Sequence, residues 1–193
     1  MPAYSASNSA SVAVLLATLM IFPSSVAFAH GAPVVPHRVA SLEVLGELPP
    51  PPAGVTNIKF GEFFKMPIGP LGLEPTEKLL SLNGQRIRLV GYVVREEDRL
   101  PGRFLLSPLP VSLGDEDESL ADDLPPTTVF VHLQGVKERS VPYLDGLVKL
   151  TGTLEIGARE EGGGRVSTLR LLLDSRVSRQ ILAAKPVLRT VVK

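Results

Sequence analysis

The densest group of chemically capable side chains is an acidic run near the middle of the chain. It places six carboxylates within nine residues, with no basic residue among them: Asp115, Glu116, Asp117, Glu118, Asp122 and Asp123. Calcium takes about six to eight oxygen ligands, so a flexible loop of this kind could coordinate a cation. The spacing is not that of an EF-hand, because the one glycine, Gly114, precedes the acids. Three interpretations stay open: a solvated, mobile loop, a loop that pairs with the basic face of the chain or with a basic partner, and a cation-binding loop.

The histidines are few, and two of them are placed where their chemistry can be weighed. His30 would become the first residue of the chain if a leader were removed after Ala29. A free amine next to an imidazole chelates Cu(II) well, so His30 is the candidate metal ligand and copper the candidate ion. His132 lies between Val131 and Leu133 in a predicted strand, on the face of Phe130. We expect this imidazole to be hydrogen-bonded or at the surface.

Residues for covalent or redox catalysis are scarce. The chain has 193 residues and contains no Cys, which excludes disulfides, thiolate metal sites and Cys nucleophiles. It also has no G-x-S-x-G, H-E-x-x-H or P-loop motif. The sequence therefore predicts no catalytic residues, no cofactor and no enzymatic activity.

The charges cancel overall but are unevenly placed. The chain has 20 Lys and Arg against 20 Asp and Glu, and this balance argues against a nucleic-acid partner. One acid, Asp174, lies in the C-terminal segment among seven basic residues: Arg165, Arg170, Arg176, Arg179, Lys185, Arg189 and Lys193. This basic tail could contact an acidic partner or anionic lipid, or it could serve solubility alone.

The first 29 residues have the pattern of a signal peptide. Val12 to Phe22 is an apolar run too short for a membrane span, which needs about 20 residues. Ala27-Phe28-Ala29 is an A-x-A cleavage site, although residues 1–11 carry no Lys or Arg. We therefore predict a periplasmic or secreted protein with no transmembrane span after processing. Its partner would be another exported or envelope protein.

Two irregular segments follow the leader. Residues 30–57 contain Pro49-Pro50-Pro51-Pro52, which favours an extended polyproline II arm or linker, with a groove ligand as the alternative. Residues 58–83 combine turn signals with a high density of apolar side chains: Phe60, Phe63, Phe64, Met66, Ile68, Leu71 and Leu73. This segment is either a strap packed over the core or an exposed contact patch. Pro75 to Leu80 could form one helical turn.

Residues 84–193 change to the periodicity of strands. The predicted strands are Ile87 to Val94, Arg103 to Ser107, Thr127 to Leu133, Val148 to Ile156 and Arg165 to Leu173. Gly157 to Gly164 predicts the tip of a hairpin between the last two strands. Ser175 to Ala184 suggests a short helix, and Val187 to Val192 a sixth strand or a frayed tail.

Two of these strands share a pattern. Ile87-Arg88-Leu89-Val90-Gly91 aligns with Val148-Lys149-Leu150-Thr151-Gly152, each with a basic residue after a β-branched one and a glycine three positions later. A glycine in mid-strand marks a bend or a close approach of two backbones, as a small barrel requires. The predicted fold is mainly β: a small antiparallel OB-like β-barrel with a Pro-rich N-terminal arm. An antiparallel sandwich is the alternative.

Part of the chain resembles an uncharacterised group of bacterial exported proteins. The similarity covers about residues 79–155. It lies in the L-x-G-x-x-[VI]-x-[LI]-x-G-[YF] pattern of Leu82 to Tyr92 and the F-L-L-x-P pattern of Phe104 to Pro108, with Pro125-Pro126 before the third strand. Members of that group carry a Cys-x-His before the proline run, where this chain has the acidic run. The resemblance implies an exported domain and no reaction.

Together these observations predict an exported, non-catalytic binding or accessory module for an unknown ligand. The alternative is a periplasmic copper-handling protein that uses His30.

Overall fold

The structure is a computed structural model that describes residues 35–96, 99–113, 124–136 and 138–187. Within these ranges the chain is mainly β, with short 3-10 turns at Phe60–Glu62 and Gly162–Gly164. The strands are β1 (Pro36–Arg38), β2 (Thr56–Asn57), β3 (Arg86–Val93), β4 (Arg103–Ser107), β5 (Val129–His132), β6 (Tyr143–Leu144), β7 (Leu147–Glu160), β8 (Val166–Leu173) and β9 (Lys185–Pro186). The helices are α1 (Glu77–Ser81) and α2 (Ser175–Leu182).

The larger sheet has the order β2-β3-β4-β5-β8-β7, and β7 also pairs with β3. The pairings therefore run from β3 through β4, β5, β8 and β7 back to β3. Four of the five pairs in this ring are antiparallel, in line with the predicted antiparallel character, whereas β5 and β8 are parallel. The reason is geometric: alternating directions cannot be kept around a ring of pairings with an odd number of strands. One of the five pairs must be parallel. Beside the ring, β2 is also parallel to β3.

Alternation of side chains builds the core beneath these strands. In β7, the buried residues Val148, Leu150 and Leu154 alternate with half-buried ones. In β5, Val129 and Val131 are buried while Phe130 and His132 are half-buried, which confirms the face predicted for His132. The buried side chains of β3, β4, β5, β7 and β8 join α2 in one cluster. Because one face of each strand is buried in this cluster, only the opposite face is available to bind another molecule.

A second sheet ties distant parts of the chain together. Its order is β6-β1-β9, with β1 parallel to β6 and antiparallel to β9. In the segment predicted as an arm, Leu42 and Val55 are buried. The amide of Lys149 donates to the carbonyl of Leu42 at 2.8 Å. Residues 42–44 of this segment are thus packed along β7, and Thr56–Asn57 pair with β3.

The segment predicted as a strap divides into two parts. Ile58, Phe60 and Phe63 are buried in the core cluster, as a strap requires. A hairpin loop follows, in which the Lys65 amide donates to the Glu74 carbonyl. Its tip is apolar and exposed, with Leu71 at 86% of its full exposure. The segment thus has a buried part and an exposed apolar tip. That the tip contacts another molecule stays a prediction.

The C-terminal elements follow the prediction with one change. The β7–β8 hairpin is longer than expected, because β7 continues to Glu160 through a register shift after Ile156. Gly157, with φ of 134°, lies at that irregularity and not in a turn. The helix predicted near Ser175 is α2. The strand suggested for Val187 to Val192 lies almost entirely outside the described residues, although the Val187 amide donates to the carbonyl of Pro36.

Neither helix in the part of the chain that the structure describes is long and apolar enough to cross a membrane.

Candidate functional site

The site residues predicted from sequence lie outside the described residues. This holds for His30 and for the six acids between Asp115 and Asp123. Copper binding at His30 and cation or partner binding by the acidic run therefore stay predictions. The described ranges contain no group of three or more His, Asp or Glu side chains placed to hold a metal ion.

The described part of the chain has a cleft of about 410 Å³ on the outer face of β3 and β7. Its floor is formed by alternate residues of those strands, one wall by the first turns of α2, and the other wall by the Pro-rich segment. The lining residues are Ser41, Leu42, Pro49, Pro50, Pro52, Arg86, Arg88, Lys149, Thr151, Asp174, Arg176, Val177 and Gln180. Volumes of about 300–1,000 Å³ are typical of sites for small molecules.

Strand alternation places the basic residues on this floor. Ile87 and Leu89 point into the core, so Arg86 and Arg88 point outward. The register sets Arg88 opposite Thr151 and Lys149 opposite Val90, which brings Arg88 and Lys149 onto neighbouring positions of one face. The sequence analysis did not predict that the two basic residues of the shared pattern, Arg88 and Lys149, lie at neighbouring positions on the cleft floor.

Arg88 holds the proline wall in place. Its guanidinium donates from Nε to Asn57 Oδ1 at 2.7 Å, and from its terminal nitrogens to the carbonyls of Pro49 at 2.6 Å and Pro50 at 3.4 Å. Proline residues have no amide hydrogen, but their carbonyls remain strong acceptors. Arg88 is only 5% exposed, and these partners are all neutral. The Pro-rich segment therefore forms a wall that a buried cation on the cleft floor holds in place.

The opposite wall begins at Asp174, the residue that precedes α2. Its carboxylate accepts from Arg86 at 2.5 Å and neutralises that guanidinium. One turn of the helix then presents Arg176 and Gln180 to the cleft, while Val177 is buried beneath them. Arg176 belongs to the predicted basic tail. Two other members of that tail are paired elsewhere, Arg165 with Glu96 and Arg170 with Glu155.

A second polar cluster surrounds the buried carboxylate of Glu161. Arg103 donates to one of its oxygens, and the Ser167 hydroxyl donates to the other at 2.8 Å. His132 Nε2 lies 3.1 Å from that same oxygen. Because a carboxylate only accepts, Nε2 carries the hydrogen in this contact. His132 is thus hydrogen-bonded, in agreement with the expectation from sequence.

The pKa values in this cluster follow from burial and pairing. Burial, with the neighbouring charges of Arg159 and Arg103, lowers the pKa of His132, and the Glu161 carboxylate offsets only part of this. Burial works to raise the pKa of Glu161, but the Ser167 hydroxyl, His132 and Arg103 together outweigh it and lower that pKa. Near neutral pH the cluster is therefore an ionised carboxylate held by one guanidinium, one hydroxyl and one neutral imidazole.

This cluster is arranged for structure and not for nucleophilic attack. A serine nucleophile needs its hydroxyl bonded to the base that takes its proton. Here Ser167 and His132 both bond to Glu161. The cluster links β4, β5 and β8 to the end of the β7–β8 hairpin.

Comparisons with known proteins give one structural likeness. No protein-family model matches the chain, and no curated protein matches it. Among solved structures, the chain is similar to a DUF3299 family protein from Pseudomonas aeruginosa, with 12% sequence identity and a TM-score of 0.42. The alignment covers 71% of this chain and 99% of the other.

Proposed function

We propose that this protein is an exported, non-catalytic binding module whose ligand occupies the cleft between the Pro-rich segment and α2. The cleft itself carries the proposal. It is concave, it has the volume of a small-molecule site, and it combines apolar residues of the Pro-rich segment with charged and polar groups on the sheet and the helix. Strand pairing positions Arg88 and Lys149, and contacts to neighbouring carbonyls hold their side chains.

The scaffold that we propose is a small OB-like barrel of β3, β4, β5, β8 and β7. The ring of pairings supports it, as does its single parallel pair β5–β8. The glycines support it as well, because a Cβ on Gly91 or Gly152 would lie within 3 Å of a neighbouring strand. Small barrels of this kind serve widely as binding scaffolds.

Export rests on the leader pattern of residues 1–29, with its A-x-A site ending at Ala29. The ligand would then be met in the periplasm or outside the cell. It would be free there or presented by another envelope protein. The copper-handling alternative rests on His30 alone.

Equilibrium dialysis against a deproteinised extract of the envelope compartment tests this function, with mass spectrometry of the compounds retained. We expect wild-type protein to enrich at least one compound. Thr151→Trp should abolish that enrichment, because an indole on the cleft floor fills the space that the ligand needs.

Thr168→Trp is the matched control, since Thr168 is an exposed residue of β8 that does not line the cleft. This variant should enrich the same compound as the wild type. Equal enrichment by Thr151→Trp and wild type would refute the assignment of the cleft, as would the absence of any enriched compound.

A further inference from the structure

We infer that the ligand of this cleft is a small organic anion, a carboxylate or phosphate with a short apolar body, bound by Arg88, Lys149 and Arg176. This inference rests on the proposed function and names the ligand class for it.

The cleft has a surplus of positive charge. Four of its lining residues are basic and one, Asp174, is acidic, and Asp174 is already paired with Arg86. The other three are Arg88, Lys149 and Arg176. Among the described residues, no carboxylate lies within 4.0 Å of their charged nitrogens. An anion in the cleft would meet three cations without a counter-charge.

Arg88 makes this surplus unusual, because it is buried. A buried charge is costly unless an opposite charge compensates it, and hydrogen bonds to neutral oxygens compensate only in part. The three contacts of Arg88 use three of its five N–H donors. They also fix the guanidinium plane before any ligand arrives. A planar, fixed guanidinium with donors to spare is well suited to carboxylate or phosphate.

Lys149 can reach the same anion as Arg88. The two residues lie on one face of adjacent strands at diagonal positions of the β3–β7 ladder. Such positions are about 7–8 Å apart, within the reach of two long side chains. The ammonium of Lys149 has one long contact, 3.4 Å to the carbonyl of Glu43, and so has donors left for a ligand. Arg176 approaches from the helix on the opposite wall.

The remaining lining fits an apolar body. Leu42, Pro50 and Pro52 line one side, and Val177 contributes to the other. The limited volume of this half-open cleft favours a compact molecule over a polymer chain.

Titrations with matched probes test this inference by following backbone amide signals of the full-length protein in NMR. The probes are benzoate, phenyl phosphate and benzamide, which share a ring and differ in charge. We expect benzoate or phenyl phosphate to shift the amides of Thr151 and Val177 and to bind about tenfold more tightly than benzamide. Lys149→Met and Arg176→Met should each weaken anion binding about tenfold.

Lys59→Met is the control with the same charge change, because Lys59 is exposed and does not line the cleft. It should leave affinity unchanged. Benzamide binding as tightly as benzoate would overturn the inference while the proposed function stands. No shift with either anion up to millimolar concentrations would overturn it too, as would equal losses in Lys59→Met and Lys149→Met. The proposed function fails separately, through the dialysis experiment.

Discussion

The two mid-strand glycines are required by crowding and not by an unusual backbone angle. Neither Gly91 nor Gly152 has a positive φ. A Cβ on Gly152 would lie 2.3 Å from the Leu172 carbonyl oxygen, and one on Gly91 would lie 2.7 Å from the Ser107 carbonyl oxygen. Gly152 is also the position where β7 pairs with both β3 and β8. These glycines let neighbouring strands approach where a strand acquires its second partner.

Gly152→Ala should therefore destabilise the fold strongly. The obstructing atoms are backbone, which cannot move aside as a flexible side chain can. We expect a loss of about 1–3 kcal/mol or more in the free energy of unfolding, measured by urea denaturation. Gly61→Ala is the control, since nothing lies within 4 Å of its Cβ position and its φ is not positive. It should change stability by about 0.5 kcal/mol or less. Equal effects of both changes would contradict the crowding argument.

The His132 cluster should make stability depend on pH in a defined window. Burial lowers the pKa of His132 below its ordinary value of 6.5. The unfolded chain therefore binds the proton more readily than the folded one, and stability falls as the pH drops below about 6.5. The lowered pKa of Glu161 affects a lower pH range. The stability that this carboxylate contributes is present above pH 4.5 and is lost only at lower pH.

His132→Gln should flatten this dependence, because its amide can still donate to Glu161 but does not titrate. We expect the free energy of unfolding to fall less in this variant than in wild type between about pH 7 and pH 5. If His132→Gln and wild type show the same slope, the imidazole is not the group responsible.

At the scale of elements, the segment from residue 58 to 83 combines a buried anchor with an exposed loop. Phe63 is fully buried against the core and lies 5.3 Å, ring to ring, from Phe60. Leu71 lies at the tip of the hairpin loop. Phe63→Ala should lower the free energy of unfolding by about 3–5 kcal/mol in a denaturation experiment.

Leu71→Ser should change the free energy of unfolding by about 0.5 kcal/mol or less, because the side chain is exposed. A large loss in Leu71→Ser would show that the loop is packed and not exposed.

The sequence could predict the strands in which apolar and polar residues alternate regularly. Alternation and β-branched residues located β5 and β7, and in β5 they also assigned the faces. The pattern could not reveal β1, β6 or β9, which are strands of two or three residues held by pairing with distant segments. The parallel β5–β8 pair also depends on how the whole ring closes.

The cleft escaped prediction because its parts are far apart in sequence. Arg88 and Lys149 were visible as a repeated basic position, but nothing in that pattern showed that the two strands pair and bring them together. The Pro-rich segment looked like a tether, because four prolines suggest an extended chain without showing what their carbonyls bind. Arg88 connects the Pro-rich segment to the sheet. Its partners lie 38 and 39 residues away in the chain, so no local sequence pattern indicates the contact.

At the scale of the whole molecule, the small sheet joins the start and end of the described chain. β1 pairs with β6, which precedes β7, and with β9, which follows α2. The segment that leads to the proline wall and the helix on the opposite wall are thus tied to one another through three short strands. A ligand bound between these walls would contact both ends of the domain and the sheet beneath them.

Removal of the leader after Ala29 would determine whether His30 can chelate a metal ion, because only a cleaved chain gives this residue a free amine beside its imidazole. The apolar run of Val12 to Phe22 and the A-x-A site predict an exported chain that begins at His30, which intact-mass analysis would verify. Its free amine and imidazole should then bind Cu(II), measured by titration of the processed protein. His30→Ala should lose this binding because the ring nitrogen is gone, and an added residue before His30 should lose it because the amine is displaced. Similar copper affinity in all three forms would mean that no N-terminal chelate forms, and retention of Met1 in the exported protein would contradict the cleavage itself.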